Sequence, residues 1–144
     1  LLSLKKSRNP LSTLFYKLSI ADEKEINIIA NEVNLTESLS VLAGQLSHGQ
    51  KQWLEIGMLL AQKPDLLLID EPAAGMTAPE RKKTVELLKR LSQNQSVIVV
   101  EHDMEFVKSL ECRVTVLHDG GVIAEGSLDY VSQNDKVIDV YLGR

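Results

Sequence analysis

The stretch Leu66-Leu67-Leu68-Ile69-Asp70-Glu71-Pro72 decides the fold class of this 144-residue chain. A run of four apolar residues between acidic ones is typical of a strand buried on both faces of a parallel sheet. Open α/β sheets bind ligands at the carboxyl ends of their strands, and this pattern places two adjacent carboxylates there. We therefore predict a buried strand that ends at a binding or catalytic edge.

The segments that follow alternate between helix and strand. A helix is predicted from about Pro79 to Asn94, with the proline at a permitted first-turn position. Further predictions are a buried strand at 97–100, a short helix at 104–110, a strand at 114–117, a hairpin through Asp119-Gly120-Gly121 and two short helical segments. This alternation indicates an α/β domain with a parallel sheet.

Residues 1–63 have helical patterns instead. Asp22 is the predicted N-cap of a first helix, with Glu25 at the capping-box spacing. Ser47 is predicted to open a second helix, which closes before Pro64. The buried stripes expected from the periodicity are Ile26, Ile29, Ala30 and Val33 in the first helix, and Leu54, Met58 and Ala61 in the second.

Composition and charge limit the possible functions. The chain is 44% hydrophobic and 25% charged, as expected of a globular protein, and its net charge of -4 gives no electrostatic reason to bind nucleic acid. Its single cysteine, Cys112, allows no internal disulfide. No apolar run approaches the ~20 residues that cross a bilayer. The chain does not begin with Met, from which we expect that an upstream segment is missing.

Three groups of residues are candidates for chemistry. Asp70 at a strand end can support a Mg²⁺ that bridges phosphates, and Glu71 can polarise an attacking water. Ser47 to Gln50 open a helix, whose free N–H groups attract anions. His102 can hydrogen-bond a phosphate at the end of the second buried strand. The plainer alternatives are a solvated turn, an ordinary Ser-capped helix and a structural histidine.

Taken in order, these groups resemble one family. Leu46-Ser47-His48-Gly49-Gln50 is similar to the signature motif of ABC transporter ATPases, and Leu66 to Glu71 resembles the Walker B strand with its catalytic glutamate. Ala74 to Thr77 lies in the place of the D-loop, and His102 in that of the switch histidine. Two positions depart from the family pattern: His48 replaces the usual first glycine of the signature, and Thr77 replaces the aspartate that usually ends the D-loop.

The resemblance implies a fold and a site. The fold is a partial P-loop NTPase (ABC ATPase) core with a parallel sheet at 64–144, preceded by part of the helical subdomain at 1–63. The implied catalytic residues are Glu71 and His102, the implied metal-binding residue is Asp70, and the implied nucleotide-binding residues are Ser47, His48, Gly49 and Gln50. The implied cofactors are ATP and Mg²⁺.

The resemblance also implies partners and a location. Such a chain pairs with a second ATP-binding subunit and with integral permease subunits, binds no nucleic acid, and lies peripherally at the cytoplasmic face of the membrane. The stretch from His48 to Met58 is similar to the ATP-binding subunits of urea uptake systems, which are grouped with the branched-chain amino acid importers. An importer subunit for urea or branched-chain amino acids is therefore the leading expectation.

Two elements of the family pattern have no counterpart in this sequence. A phosphate-binding loop needs glycines and a lysine in one strand-to-helix turn, and no glycine precedes Gly44. No counterpart of the glutamine-bearing Q-loop is found in residues 1–43. The chain alone is therefore expected to be inactive. The resemblance places a further strand between those at 97–100 and 114–117, so we also expect open apolar faces and poor solubility.

Two other classes remain as alternatives. The chain can be a non-catalytic module that donates its signature motif to a partner ATPase. A soluble ABC protein that works on DNA or ribosomes is disfavoured, because repair-type members carry long coiled coils before the signature and this chain is acidic.

Overall fold

A computed structural model describes residues 18–142 of the chain. Its helices are α1 (Ile20–Glu32), α2 (His48–Leu60), α3 (Ala78–Leu91), α4 (Met104–Leu110), α5 (Leu128–Ser132) and α6 (Asp135–Val137), and α6 continues into a π-helical turn at Ile138–Leu142. Short 3₁₀ turns lie at Thr36–Ser38 and Ala43–Gln45. The strands are β1 (Leu66–Asp70), β2 (Ser96–Val100), β3 (Val114–His118) and β4 (Gly121–Gly126).

The strands form two separate pairs. β1 and β2 are parallel, with Leu66 opposite Ser96 and Asp70 opposite Val100. β3 and β4 form an antiparallel hairpin, with an irregularity in register between Val116 and Leu117. The predicted α/β class with a parallel sheet is confirmed, and each predicted strand and helix downstream of Pro64 is present within a few residues of its expected bounds.

The prediction that the two parallel strands are buried on both faces is wrong. Residues alternate along β1, where Leu67 is 1% exposed and Leu68 is 62% exposed. The exposed side chains of both strands lie on one face of the pair, which we call the open face: Leu66, Leu68, Ile98 and Val100, each at least half exposed. The other face carries the buried side chains of β1, and α3 packs against β2.

The helix starts agree with the sequence at Ser47 and differ from it in α1. Ser19, not Asp22, is the N-cap of α1, because Asp22 occupies the third helical position and its carboxylate accepts the Ser19 N–H at 2.8 Å. The expected buried face of α2 is also wrong: Met58 is half exposed, and the buried residues are Gly49, Trp53, Ile56 and Gly57. The stripe is rotated because α2 presents its glycines to its neighbours.

The described residues divide into two compact units, one ending at Val100 and the other beginning at Glu101. The first unit contains α1 to α3 and the parallel pair. The second contains α4, the hairpin and the C-terminal helices, with a small core in which Ala124, Val131 and Val137 pack together. No helix within residues 18–142 has the length and apolar character needed to span a bilayer.

Candidate functional site

The two acidic residues at the end of β1 lie in different backbone conformations. Asp70 is the last strand residue and is exposed. Glu71 follows in the left-handed region at φ 45°, and its N–H donates to the Val100 carbonyl at 2.9 Å. A left-handed non-glycine residue stores strain, and such residues cluster at functional sites. The backbone therefore turns abruptly at Glu71, the residue predicted to be catalytic.

The N-terminus of α2 is built around Ser47, whose side chain lies at the surface. Its Oγ accepts the Gln50 N–H at 3.2 Å, and the Gln50 Oε1 accepts the Ser47 N–H at 2.9 Å, which completes a capping box. Gln50 also donates from Nε2 to the Ser38 Oγ at 3.1 Å. These bonds fix the first turn of the helix that carries the signature-like residues.

Glu80, in the first turn of α3, joins this helix start to another. The Ser47 hydroxyl donates to Glu80 Oε1 at 2.9 Å. Thr77, the N-cap of α3, donates to Glu80 Oε2 from its N–H at 2.9 Å and from its hydroxyl at 2.7 Å. Each carboxylate oxygen thus serves one helix start.

These hydrogen bonds lower the pKa of Glu80 below its ordinary value. The bond from the Thr77 backbone N–H contributes most, followed by those from the Thr77 and Ser47 hydroxyls, and positive charge on His48 adds to them. Partial burial of the carboxyl opposes the shift. The carboxyl is therefore held as an ionised acceptor.

Two glycines make the close packing at this position possible. A Cβ at Gly49 would lie 2.7 Å from the Glu80 carboxyl carbon, so any larger residue would push that carboxyl away. Gly75 has φ +65°, and a Cβ there would lie 3.0 Å from Cδ2 of His48. The 71–77 loop and the start of α2 therefore pack against each other through glycine.

A buried hydrogen bond supports the same pair of helices one turn further on. The Trp53 Nε1–H donates to Thr84 Oγ1 at 2.9 Å, and both side chains are buried. The Thr84 hydroxyl lies 2.9 Å from the Glu80 carbonyl, to which it donates. Lys83 lies over the Trp53 ring at 5.9 Å from its centroid. Trp53 is thus a packing residue between α2 and α3.

His102 belongs to the second unit, where Glu101 organises the backbone before α4. The Glu101 side chain is 3% exposed, and its Oε2 accepts the His102 N–H at 3.0 Å and the Asp103 N–H at 3.2 Å. The imidazole itself is 77% exposed. Asp103 caps α4 by accepting the Phe106 N–H at 3.0 Å. The histidine is therefore presented to solvent from a fixed loop.

Within the first unit, the structure brings Ser47, His48 and Gly49 together with the 71–77 loop that begins at Glu71. Glu80 was missed at the sequence level, although Thr77-Ala78-Pro79-Glu80 has the capping-box spacing with an early proline that would have indicated its bond to Thr77. Nothing in the spacing indicates its bond to Ser47, because that contact joins residues far apart in the sequence. Glu101 was also missed, since its role depends on burial.

The described residues offer little to a metal ion by themselves. Within residues 18–142, no group of three or more His, Cys, Asp or Glu side chains could hold a metal. Asp70 provides carboxylate oxygens at an exposed strand end, which suits Mg²⁺, because this ion keeps several waters and is held by one or two carboxylates plus substrate phosphates. Asp70 therefore fits a Mg²⁺ site that is shared with substrate phosphates, and not a site formed by protein ligands alone.

Comparison with known proteins identifies the family of the chain. Residues 2–74 match the sequence family described as ABC transporter, and the chain belongs to this family. It is 38% identical over 114 residues to the high-affinity branched-chain amino acid transport ATP-binding protein BraF of Pseudomonas aeruginosa, covering 78% of this chain and 45% of that protein. It is 35% identical over 116 residues to the methionine import ATP-binding protein MetN of Lactobacillus acidophilus, covering 79% and 33%. The chain thus spans less than half the length of these relatives.

Solved structures give the same class. A nucleotide-free ATP-binding cassette from an ABC transporter superposes with a TM-score of 0.82 at 25% identity, covering 99% of this chain and 60% of that one. The ADP conformation of another ABC transporter cassette gives 0.78 at 26% identity, covering 96% and 58%. The fold is therefore that of an ABC ATPase cassette, of which this chain contains a part.

Proposed function

We propose that this chain is the C-terminal part of the ATP-binding and ATP-hydrolysing subunit of an ABC importer. Residues 1–63 would be the helical-subdomain portion that ends with the signature helix, and residues 64–144 the C-terminal part of the ATPase core. One observation carries the proposal: Ser47 opens a capped helix, its side chain is exposed, and the same helix start contacts the loop that begins at Glu71.

The start of α2 would bind the phosphates of a nucleotide held by a second subunit. Its first N–H groups lie at the positive end of the helix dipole, and Gly49 adds no side chain at this position. His48 and Gln50 flank this site, and His48 adds a positive charge when protonated. Among the residues named here, the arrangement suits a polyphosphate and offers no feature that would recognise a nucleotide base.

Residues that follow β1 and β2 in the sequence would supply the hydrolytic chemistry. Glu71 would polarise the attacking water, and His102 would donate a hydrogen bond to the γ-phosphate. Asp70 would hold Mg²⁺, which neutralises the charge that develops on the phosphates when it is bound. Phosphoryl transfer depends chiefly on positioning and electrostatics, so these groups require a nucleotide that is already placed.

The sequence contains no glycine-rich phosphate loop, so we propose that these 144 residues do not hydrolyse ATP unaided. The start of α2 is complete within the described residues and does not depend on that loop. This observation favours one alternative, in which the chain acts as a non-catalytic module that donates its signature motif to a partner ATPase.

The descriptions of the relatives support proposals for the partners and the solute. We propose a second ATP-binding subunit and integral permease subunits as partners, with the chain peripheral at the cytoplasmic face of the membrane. The relatives named above are described as serving branched-chain amino acid transport and methionine import, which supports an amino acid importer. Urea remains a second proposed solute on the resemblance of the segment from His48 to Met58.

ATP turnover tests the proposal. The chain is assayed alone and then mixed with a full-length relative whose own signature serine is replaced by alanine. We expect no turnover from either protein separately and measurable turnover from the mixture, which must disappear when the chain carries Ser47→Ala. Turnover by the chain alone, or a mixture that gains nothing from folded chain, would refute the proposal.

A further inference from the structure

We propose that Glu80 is a positioning residue that couples the start of the signature helix α2 to the 71–77 loop. One carboxylate oxygen holds Ser47 and the other holds Thr77, so the two segments share a single side chain. The inference rests on the proposed function, in which Ser47 meets the phosphates of a partner's nucleotide.

A carboxylate suits this task because it accepts at both oxygens and donates at neither when ionised. All three groups that face it are donors: the Ser47 hydroxyl, the Thr77 hydroxyl and the Thr77 N–H. The lowered pKa of Glu80 agrees with this set of donors. Gly49 completes the arrangement, because a Cβ there would occupy the position of the carboxyl.

The base of the link is rigid. The carbonyl of Glu80 accepts a hydrogen bond from the fully buried Thr84, which itself accepts one from Trp53 on α2. The backbone of Glu80 therefore stays fixed relative to α2. Only its carboxylate can move when the hydrogen bonding of Ser47 changes.

The coupling follows from the single proton of the serine hydroxyl. That proton is donated to Glu80 Oε1. A phosphate oxygen that takes it must displace the carboxylate, which then interacts with Thr77 alone. Occupation of Ser47 by phosphate thus frees one oxygen of the carboxylate that also holds Thr77, the residue that ends the 71–77 loop.

Glu80→Asp separates this coupling from simple helix capping. In the same chain, Asp22 at the equivalent position of α1 accepts both the N–H and the hydroxyl of its N-cap Ser19. Aspartate at position 80 is therefore expected to keep the bonds from Thr77. It is one methylene shorter, so it does not also reach Ser47.

The test is hydrogen exchange by mass spectrometry on the full 144-residue chain at micromolar concentration, with Glu86→Asp on the exposed face of α3 as the matched control. Glu80→Asp should speed exchange in the peptide that contains Gln50 about fivefold, the usual effect of losing about 1 kcal/mol at a cap. The peptide that contains Thr77 should be unchanged. The control should change neither, and Glu80→Asp should have no further effect in a Ser47→Ala background.

Unchanged exchange around Gln50 in Glu80→Asp would overturn the proposal, because Glu80 would then be only the cap of its own helix. In the mixed turnover assay, Glu80→Asp should lower kcat and Glu86→Asp should not. A silent mixture with the unmodified chain would refute the proposed function. The exchange result would still decide the coupling, so the two failures are distinguishable.

Discussion

Glu71 combines a left-handed backbone conformation with a proposed catalytic role. Its φ of 45° disfavours any side chain with a Cβ, whereas glycine adopts this conformation freely. Glu71→Gly and Glu71→Ala both remove the carboxylate and differ in how well they tolerate this φ. We expect the glycine variant to be more stable than the alanine variant by about 1 kcal/mol. Equal urea midpoints would contradict a left-handed Glu71.

The pH dependence of stability at Glu80 follows from the direction of its pKa shift. Because the folded pKa is lowered from the ordinary 4.5, the bonds from Thr77 and Ser47 contribute fully above that pH and are lost as the pH falls through the folded value. Glu80→Gln removes this titration. We therefore expect the difference in urea midpoint between the native chain and Glu80→Gln to shrink below pH 4.5, and a constant difference would refute it.

At the residue scale, the sequence predicted the positions of the acidic pair and of the cap at Ser47, because each depends on neighbours in the chain. It did not predict the left-handed Glu71 or the bond from Ser47 to Glu80. The first depends on where β2 ends, since the Val100 carbonyl accepts the Glu71 N–H. The second requires α2 and α3 to pack side by side, which no local pattern encodes.

At the scale of elements, the packing of α2 on α3 depends on Trp53 and Thr84. Thr84→Val keeps the shape of the side chain and leaves the buried Trp53 N–H without its acceptor. We expect a loss of about 1–3 kcal/mol in the free energy of unfolding, measured by urea denaturation. Thr84→Ser retains the hydroxyl and serves as the control. A similar loss in both variants would show that the methyl group and not the hydrogen bond matters.

The elements themselves were largely predictable, and their exposed faces were not. Helix and strand periods follow from local sequence, so α2, α3, α4 and the four strands were found. The burial of β1 on both faces was inferred from a run of apolar residues. Such a run is typical of a strand in a sheet that is covered on both faces, but it does not say which elements cover the sheet. Among the described residues, no element covers the open face, so its side chains are exposed.

At the scale of the whole molecule, the open face predicts association. Leu68 and Ile98 are neighbours in register on it, and both are at least half exposed. We expect the double substitution Leu68→Thr and Ile98→Thr to raise the solubility of the chain several-fold, because threonine keeps β propensity and reduces the apolar patch. Sedimentation at increasing concentration measures this.

The buried face of the same strand provides the contrast. Leu67 is 1% exposed, so Leu67→Thr should destabilise the fold by about 2–4 kcal/mol and should not improve solubility. If the Leu68 and Ile98 substitutions left the solubility unchanged, the open face would not be the cause of association.

We propose that this chain carries a working signature motif for a nucleotide held by another subunit, and ATP turnover in trans tests this. Purified chain is added in increasing amounts to a full-length relative whose own signature serine is alanine. We expect ATP hydrolysis that rises to saturation with increasing chain and is abolished by Ser47→Ala. Hydrolysis by the chain alone, or a mixture that stays silent with folded chain present, would contradict it.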